Sequence, residues 1–194
     1  MSHIPLEKHL PGITGLLEYR QDTGAPIREL TQILLRGSST LTQGERELIA
    51  TVVSSRNECR FCTAAHTAAV DVLLEENTTS EAVKKDIDTA PVSEKLKTLL
   101  HIAASVQKGG KYVTPEQIAA ARVQGATDQE IHDTVLIAAL FCLYNRYVDG
   151  LATVTPTDPS FYHGLGMRLK LNGYNRLPQG YEHLKTTDNT LKAL

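Results

Sequence analysis

The chain has no tryptophan, and among its 194 residues are only three cysteines, three phenylalanines and two methionines. With three cysteines, one thiol stays unpaired whatever the other two do, which argues against a secreted disulfide scaffold. No apolar run reaches the roughly 18 residues needed to span a membrane, so no membrane association is expected. The opening Met1 to His9 lacks both a basic n-region and a hydrophobic h-region, so it does not read as a secretory signal. The expected compartment is a reducing cytoplasm. The formal net charge of -2 gives no electrostatic case for nucleic acid. No apolar alternation of period two is found, so strands are not expected, and no glycine-rich piece follows a strand to make a nucleotide loop.

What is present points to an all-α fold. Hydrophobic residues make up 41% of the chain, which excludes disorder, and the length suits one domain with a real core. We expect a single domain over 1–194, its core at about 10–170 and a polar, turn-rich arm at about 172–194. Ile13, Leu16, Leu17 and Tyr19 suit a short helical turn. A helix over 25–36 carries Ile27, Leu30, Ile33 and Leu34 at helical period, with Pro26 in its first turn. Thr42 with Glu45 forms a capping box that opens a helix to about Ser55. A second helix follows over 59–76, alanine-rich enough for close packing against a neighbour. Ser80 is expected to cap a short helix to Ile87. Ser93 opens a longer helix that ends at Gly109-Gly110, and Thr114-Pro115 opens a short one. Thr127 with Glu130 repeats the capping box ahead of the most apolar helix, to about Val148. That helix is expected to be central or covered by another subunit. Ser160 to Leu171 suits a last helix.

The chemistry gathers between Asn57 and His66. Cys59 and Cys62 stand three apart at the mouth of a helix, and His66 follows Cys62 by four, on the same helical face. A thiolate, not a thiol, is the nucleophile. The unpaired N–H groups of a first helical turn favour negative charge, so thiols placed there, or in a CxxC, are expected to ionise below the ordinary range. One thiol can attack, the other resolve, and the imidazole move the proton. If the helices at 42–55 and 59–76 form an antiparallel hairpin, Glu47 lies about 15 Å back from the turn and His66 about 12 Å forward. They are then level and able to touch, so that a carboxylate orients an imidazole that faces a thiol.

Rival readings stay open. Cys59, Cys62 and His66 supply three zinc ligands, but no second CxxC or HxxxH offers a fourth. A redox-sensing oligomer without catalysis is a further alternative. Cys142 reads as a small core residue, His101 as a hydrogen-bonded edge residue, and His132 as solvated. Asn145, Arg146 and Asp149 read as ties at the end of the long helix.

Glu47, Cys59-x-x-Cys62-x-x-x-His66 and the surrounding Glu45-Arg-Glu-Leu-Ile-Ala, Val53-Ser and Asn57, with the later Phe141-x-x-x-Asn145-Arg146-x-x-Asp149-Gly150, resemble the carboxymuconolactone decarboxylase superfamily, in its alkylhydroperoxidase-D-like, peroxidase-related branch. The resemblance spans roughly residues 10–170. It implies all-helical subunits in trimers or hexamers and thiol peroxidase or disulfide reductase chemistry on a hydroperoxide. Cys62 would be the peroxidatic cysteine, Cys59 the resolving one, and Glu47 with His66 the proton relay. It implies re-reduction by a dithiol or a lipoylated protein, with no metal or flavin. The chain departs from the best-known member at Phe61, a histidine there, and so lacks one proton carrier of that relay. The true decarboxylases lack the cysteine pair.

Overall fold

A computed structural model of the chain describes residues 2–181. Among the described residues the regular elements are all helical, as the absence of period-two alternation requires. They are α1 (Gly12–Tyr19), α2 (Gln21–Arg36), α3 (Gln43–Arg56), α4 (Arg60–Leu74), α5 (Thr78–Lys85), α6 (Glu94–Lys108), α7 (Pro115–Val123), α8 (Asp128–Gly150) and α9 (Pro159–Asn172), with one 3₁₀ turn at Gly110–Tyr112. None is long and apolar enough to cross a membrane.

The capping residues set the starts of the principal helices. Thr42, Thr114 and Thr127 each accept from the third backbone N–H while Glu45, Gln117 and Glu130 reach back to the cap. Each such cap contributes about 1 kcal/mol. Ser93 caps α6 through Leu96 N–H. The expected cap at Ser80 is corrected: α5 starts earlier, and the Glu76 carboxylate accepts from Thr78 and Thr79 N–H instead. Ser80 lies inside the helix and donates to Asp71 at 2.5 Å.

Two expectations about helix faces are also corrected. Helix α2 begins at Gln21, so Pro26 is interior rather than in the first turn. Its inward face is Arg28, Thr31, Leu34 and Leu35, while Leu30 and Ile33 are 37% and 59% exposed. Two of the inward positions are polar, Arg28 bonded to Glu18 and Thr31 bonded to the Ile27 carbonyl and Tyr144, so the apolar period does not mark the inward face. Of the two places expected for the most apolar helix, α8 does not take the central one, which belongs to α3; burial by another subunit is the alternative that stays open. From Arg46 to Ser54 every α3 residue is buried, with α4, α5, α6, α8 and α2 against it. Buried Arg46 donates to the carbonyls of Leu34 and Gly37, both at 3.0 Å, and so closes the C-terminus of α2.

α4 lies between α3 and α9. The alanines of α4 do allow close approach: a Cβ added at Gly166 on α9 would sit 2.6 Å from the Ala68 carbonyl oxygen. Beyond α9 the chain turns at Gly173, where φ is +64. Leu177 and Tyr181 then pack on Leu10, so the described part of the expected arm returns to the segment just ahead of α1. The rest of it, 182–194, lies outside the described residues.

Candidate active site

The turn between α3 and α4 is short and tightly bonded. Asn57, Glu58 and Cys59 N–H donate to the carbonyls of Val53, Ser55 and Ser54. Glu58 takes a left-handed conformation, φ 58, to reverse the chain. Cys59 thereby becomes the N-cap of α4, and Cys62 the third residue of the helix. The hairpin forms as expected and sets α3 against α4.

Glu47 and His66 meet across that hairpin. His66 Nδ1 is 2.6 Å from Glu47 Oε2, and the Glu47 side chain is 0% exposed. An ionised carboxylate only accepts, so Nδ1 carries the hydrogen, and in the neutral ring Nε2 is the basic nitrogen. The other Glu47 oxygen accepts from Arg36 Nη2 at 2.6 Å and from Tyr174 Oη at 2.5 Å. Burial pushes the Glu47 carboxyl up, but the charges and hydrogen bonds of His66, Arg36 and Tyr174 outweigh it and hold the group at about 2. Burial, reinforced by the Glu47 charge, pushes the Tyr174 phenol well above its ordinary range, so it stays a donor. The His66 ring also rests edge-on against Phe141, centroids 4.4 Å apart.

Arg36 and Tyr174 escaped the sequence reading. Arg36 looks like any basic residue in a last helical turn. Tyr174 follows α9, and its position depends on two contacts: its N–H donates to Gln32 Oε1 at 2.7 Å, and a Cβ at Gly173 would run into the same Gln32 side chain. The glycine directly after a helix was the available signal that the chain doubles back.

Cys62 and His66 line one small cavity of about 60 Å³, with Phe61, Tyr144, Arg168 and Tyr174 also in its wall. Cys59 is fully buried behind it. Phe61 gives the cavity an apolar side and packs on Gly12, whose φ of +58 and missing Cβ leave room for the ring.

The Cys62 thiol does not behave as its place near a helix mouth suggests. Its hydrogen bond with Cys59 and its burial push it well above the ordinary range. The expected depression fails because two buried thiols compete for one negative charge, and burial disfavours the charged form. Asn145 works in the opposite sense, favouring the Cys62 thiolate. It is buried, donates to Ser54 Oγ at 3.1 Å and accepts from Asn57 Nδ2 at 2.8 Å. It therefore ties α8 to the end of α3 beside the sulfur. Arg146 is exposed and, among the described residues, donates back along α8 to the Cys142 carbonyl. Cys142 is half-buried against the core, and His101 pairs with Asp88 at the surface. Among the described residues no group of three or more His, Cys, Asp or Glu side chains converges as metal ligands, so zinc finds no support in the donor set.

An all-helical bundle with two thiols, an imidazole and a carboxylate gathered on one hairpin defines a class of protein. The chain belongs to the carboxymuconolactone decarboxylase family, whose sequence profile matches residues 21–84 and 77–155. Within it the fold is that of the alkylhydroperoxidase-D-like branch. The crystal structure of an uncharacterized peroxidase-related protein from Silicibacter sp. TM1040 is similar at 27% identity and a TM-score of 0.72, covering 79% of each chain. That of a peroxidase-related protein with an alkylhydroperoxidase AhpD core, from Ralstonia eutropha JMP134, is similar at 22% identity and a TM-score of 0.75, covering 85% of this chain and 96% of that one. No curated protein matches.

Proposed function

We propose that the protein is a cysteine-dependent peroxidase, or a disulfide oxidoreductase of the same chemistry, working through Cys62, Cys59, His66 and Glu47. One observation carries the reading: Cys62 and His66 share a cavity, and Nδ1 of that histidine is hydrogen-bonded to a buried, ionised carboxylate. The two structural neighbours, each described as peroxidase-related, support it.

Cys62 is the attacking sulfur because it faces the cavity, whereas Cys59 does not. His66 Nε2 takes the thiol proton as the substrate enters, and Glu47 stabilises the imidazolium that forms. The sulfur attacks the distal peroxy oxygen. An S–O bond forms, the O–O bond breaks, and the leaving alkoxide receives the proton from His66. Cys62 is now a sulfenic acid. The Cys59 sulfur displaces its hydroxyl, giving a disulfide and water. An external dithiol, free or on a lipoylated protein, returns two electrons and two protons. No metal or flavin takes part in this scheme. The working protein is a cytoplasmic homo-oligomer of three or six subunits.

The test is peroxide consumption with a dithiol reductant by the wild type and Cys62→Ser. The expected result is loss of turnover in the variant; equal rates would remove Cys62 from the reaction. A second reading, a redox sensor without turnover, is favoured by the raised Cys62 thiol, which makes a resting thiolate scarce. A shift in elution volume between oxidised and reduced protein, with no peroxide consumed, would favour the sensor.

A further inference from the structure

The cavity that holds Cys62 and His66 also carries positive charge that is not fully neutralised among the described residues. Arg28 and Arg168 both line it. Arg28 donates to Glu18 Oε1 at 2.7 Å. The same carboxylate is also claimed by Arg176, through Nε at 3.0 Å and Nη2 at 2.9 Å. Glu18 therefore serves two guanidinium groups, and none of its charge remains for a third. Arg168 has no carboxylate and no hydrogen bond among the described residues. Its guanidinium lies over the face of Tyr181, 5.9 Å from the ring centroid. Burial, with the nearby charge of Arg28, lowers its affinity for a proton, and Tyr181 and Tyr174 offset only part of this. A partly buried guanidinium is costly unless an anion or a full set of acceptors meets it, and its flat fork of N–H groups matches a carboxylate.

We propose that Arg168 is the anion-binding residue of this cavity, and that the substrate is a small hydroperoxide bearing a carboxylate, held on Arg168 with its peroxy group toward Cys62. The proposal rests on the peroxidase reading for the reaction, but not for the binding of the anion. Cavity size limits the substrate. A water-sized group needs about 10–15 Å³ of such space, so about 60 Å³ accommodates a short chain and excludes a long acyl tail. Apolar Phe61 offers nothing to a charged end, which leaves the arginine side of the wall to receive it. The reaction is unchanged: the O–O bond breaks at sulfur, and the carboxylate stays intact on the alcohol product.

Two measurements test this. In the first, hydroperoxyacetate and ethyl hydroperoxide, which differ by a carboxylate in place of a methyl, are compared as substrates with dithiothreitol as reductant. The expected kcat/KM ratio in the wild type favours the anion by about tenfold, the scale of one charge-assisted contact of about 1.4 kcal/mol. Arg168→Met brings the ratio near one, mainly through KM, and Arg168→Lys keeps part of the preference. No preference in the wild type, or one that survives in Arg168→Met, overturns the proposal. In the second, glycolate is added during alkylation of Cys62 by iodoacetamide, followed by mass spectrometry of the Cys62 peptide. Glycolate slows the wild type and not Arg168→Met, and ethanol slows neither; equal alkylation of the wild type with and without glycolate overturns the anion site. This second readout needs no turnover. Protection without peroxide consumption retires the peroxidase reading and keeps the anion site. Equal turnover of both peroxides without protection does the reverse.

Discussion

Glu47 is the residue on which the site's electrostatics turn, because three donors from three different parts of the chain converge on one enclosed carboxylate. Arg36 supplies the full positive charge, its own side chain 5% exposed. Arg36→Met would leave a buried anion with only His66 and Tyr174 to meet it, and a loss of about 3–5 kcal/mol in urea denaturation is expected. Tyr174→Phe removes one hydrogen bond to a charged group, worth about 1.5–3 kcal/mol, and frees Glu47 and His66 to shift. The sulfur pair gives a separate prediction. Since Cys59 is the largest influence raising the Cys62 thiol, Cys59→Ala should move the alkylation profile of Cys62 to lower pH. A profile that stays put would place the cause in burial alone.

The elements show what a sequence can disclose and what it hides. Capping boxes at Thr42, Thr114 and Thr127 are local, and each helix starts where its cap says. The Glu47–His66 contact was legible because both residues belong to one hairpin, where rise per residue fixes height. Arg36 and Tyr174 were not legible, since they arrive from α2 and from beyond α9, and no local rule relates those to α3. The thiol shift was hidden for a similar reason: helix-mouth position is a sequence property, but burial and a shared proton are not. The α4–α9 contact adds a prediction of its own. Gly166→Ala would press a methyl against the Ala68 carbonyl, which belongs to helix backbone and cannot swing aside. Separation of the two helices should cost about 1–3 kcal/mol. Chemical denaturation reads it, and an unchanged midpoint would mean that α9 rides loosely on α4.

For the molecule as a whole, acid stability follows from Glu47. Its carboxyl titrates at about 2 in the fold and near 4.5 when unexposed to its partners. The folded carboxylate is therefore favoured above pH 4.5, and this contribution is lost as pH falls toward 2. The loss is on the order of 3 kcal/mol. Glu47→Gln should show a flatter decline of stability through that window, starting from a lower value at neutral pH. A prediction about assembly starts from α8, which carries an apolar stripe that the other described residues leave partly uncovered. Val135 and Leu136 are half-buried, Ala139 is exposed, and Leu143 is 46% exposed. They recur at helical spacing between the polar His132 and Arg146, as an interface bounded by a polar rim would. In a subunit contact each would lose its remaining water, which would suit so apolar a helix lying off-centre in the bundle. Light scattering should give the wild type a mass well above the 21.3 kDa of one chain. Leu143→Glu should move it toward that mass, because a carboxylate in the middle of the stripe must stay hydrated. A wild type that already runs as one chain would show the stripe to be ordinary surface.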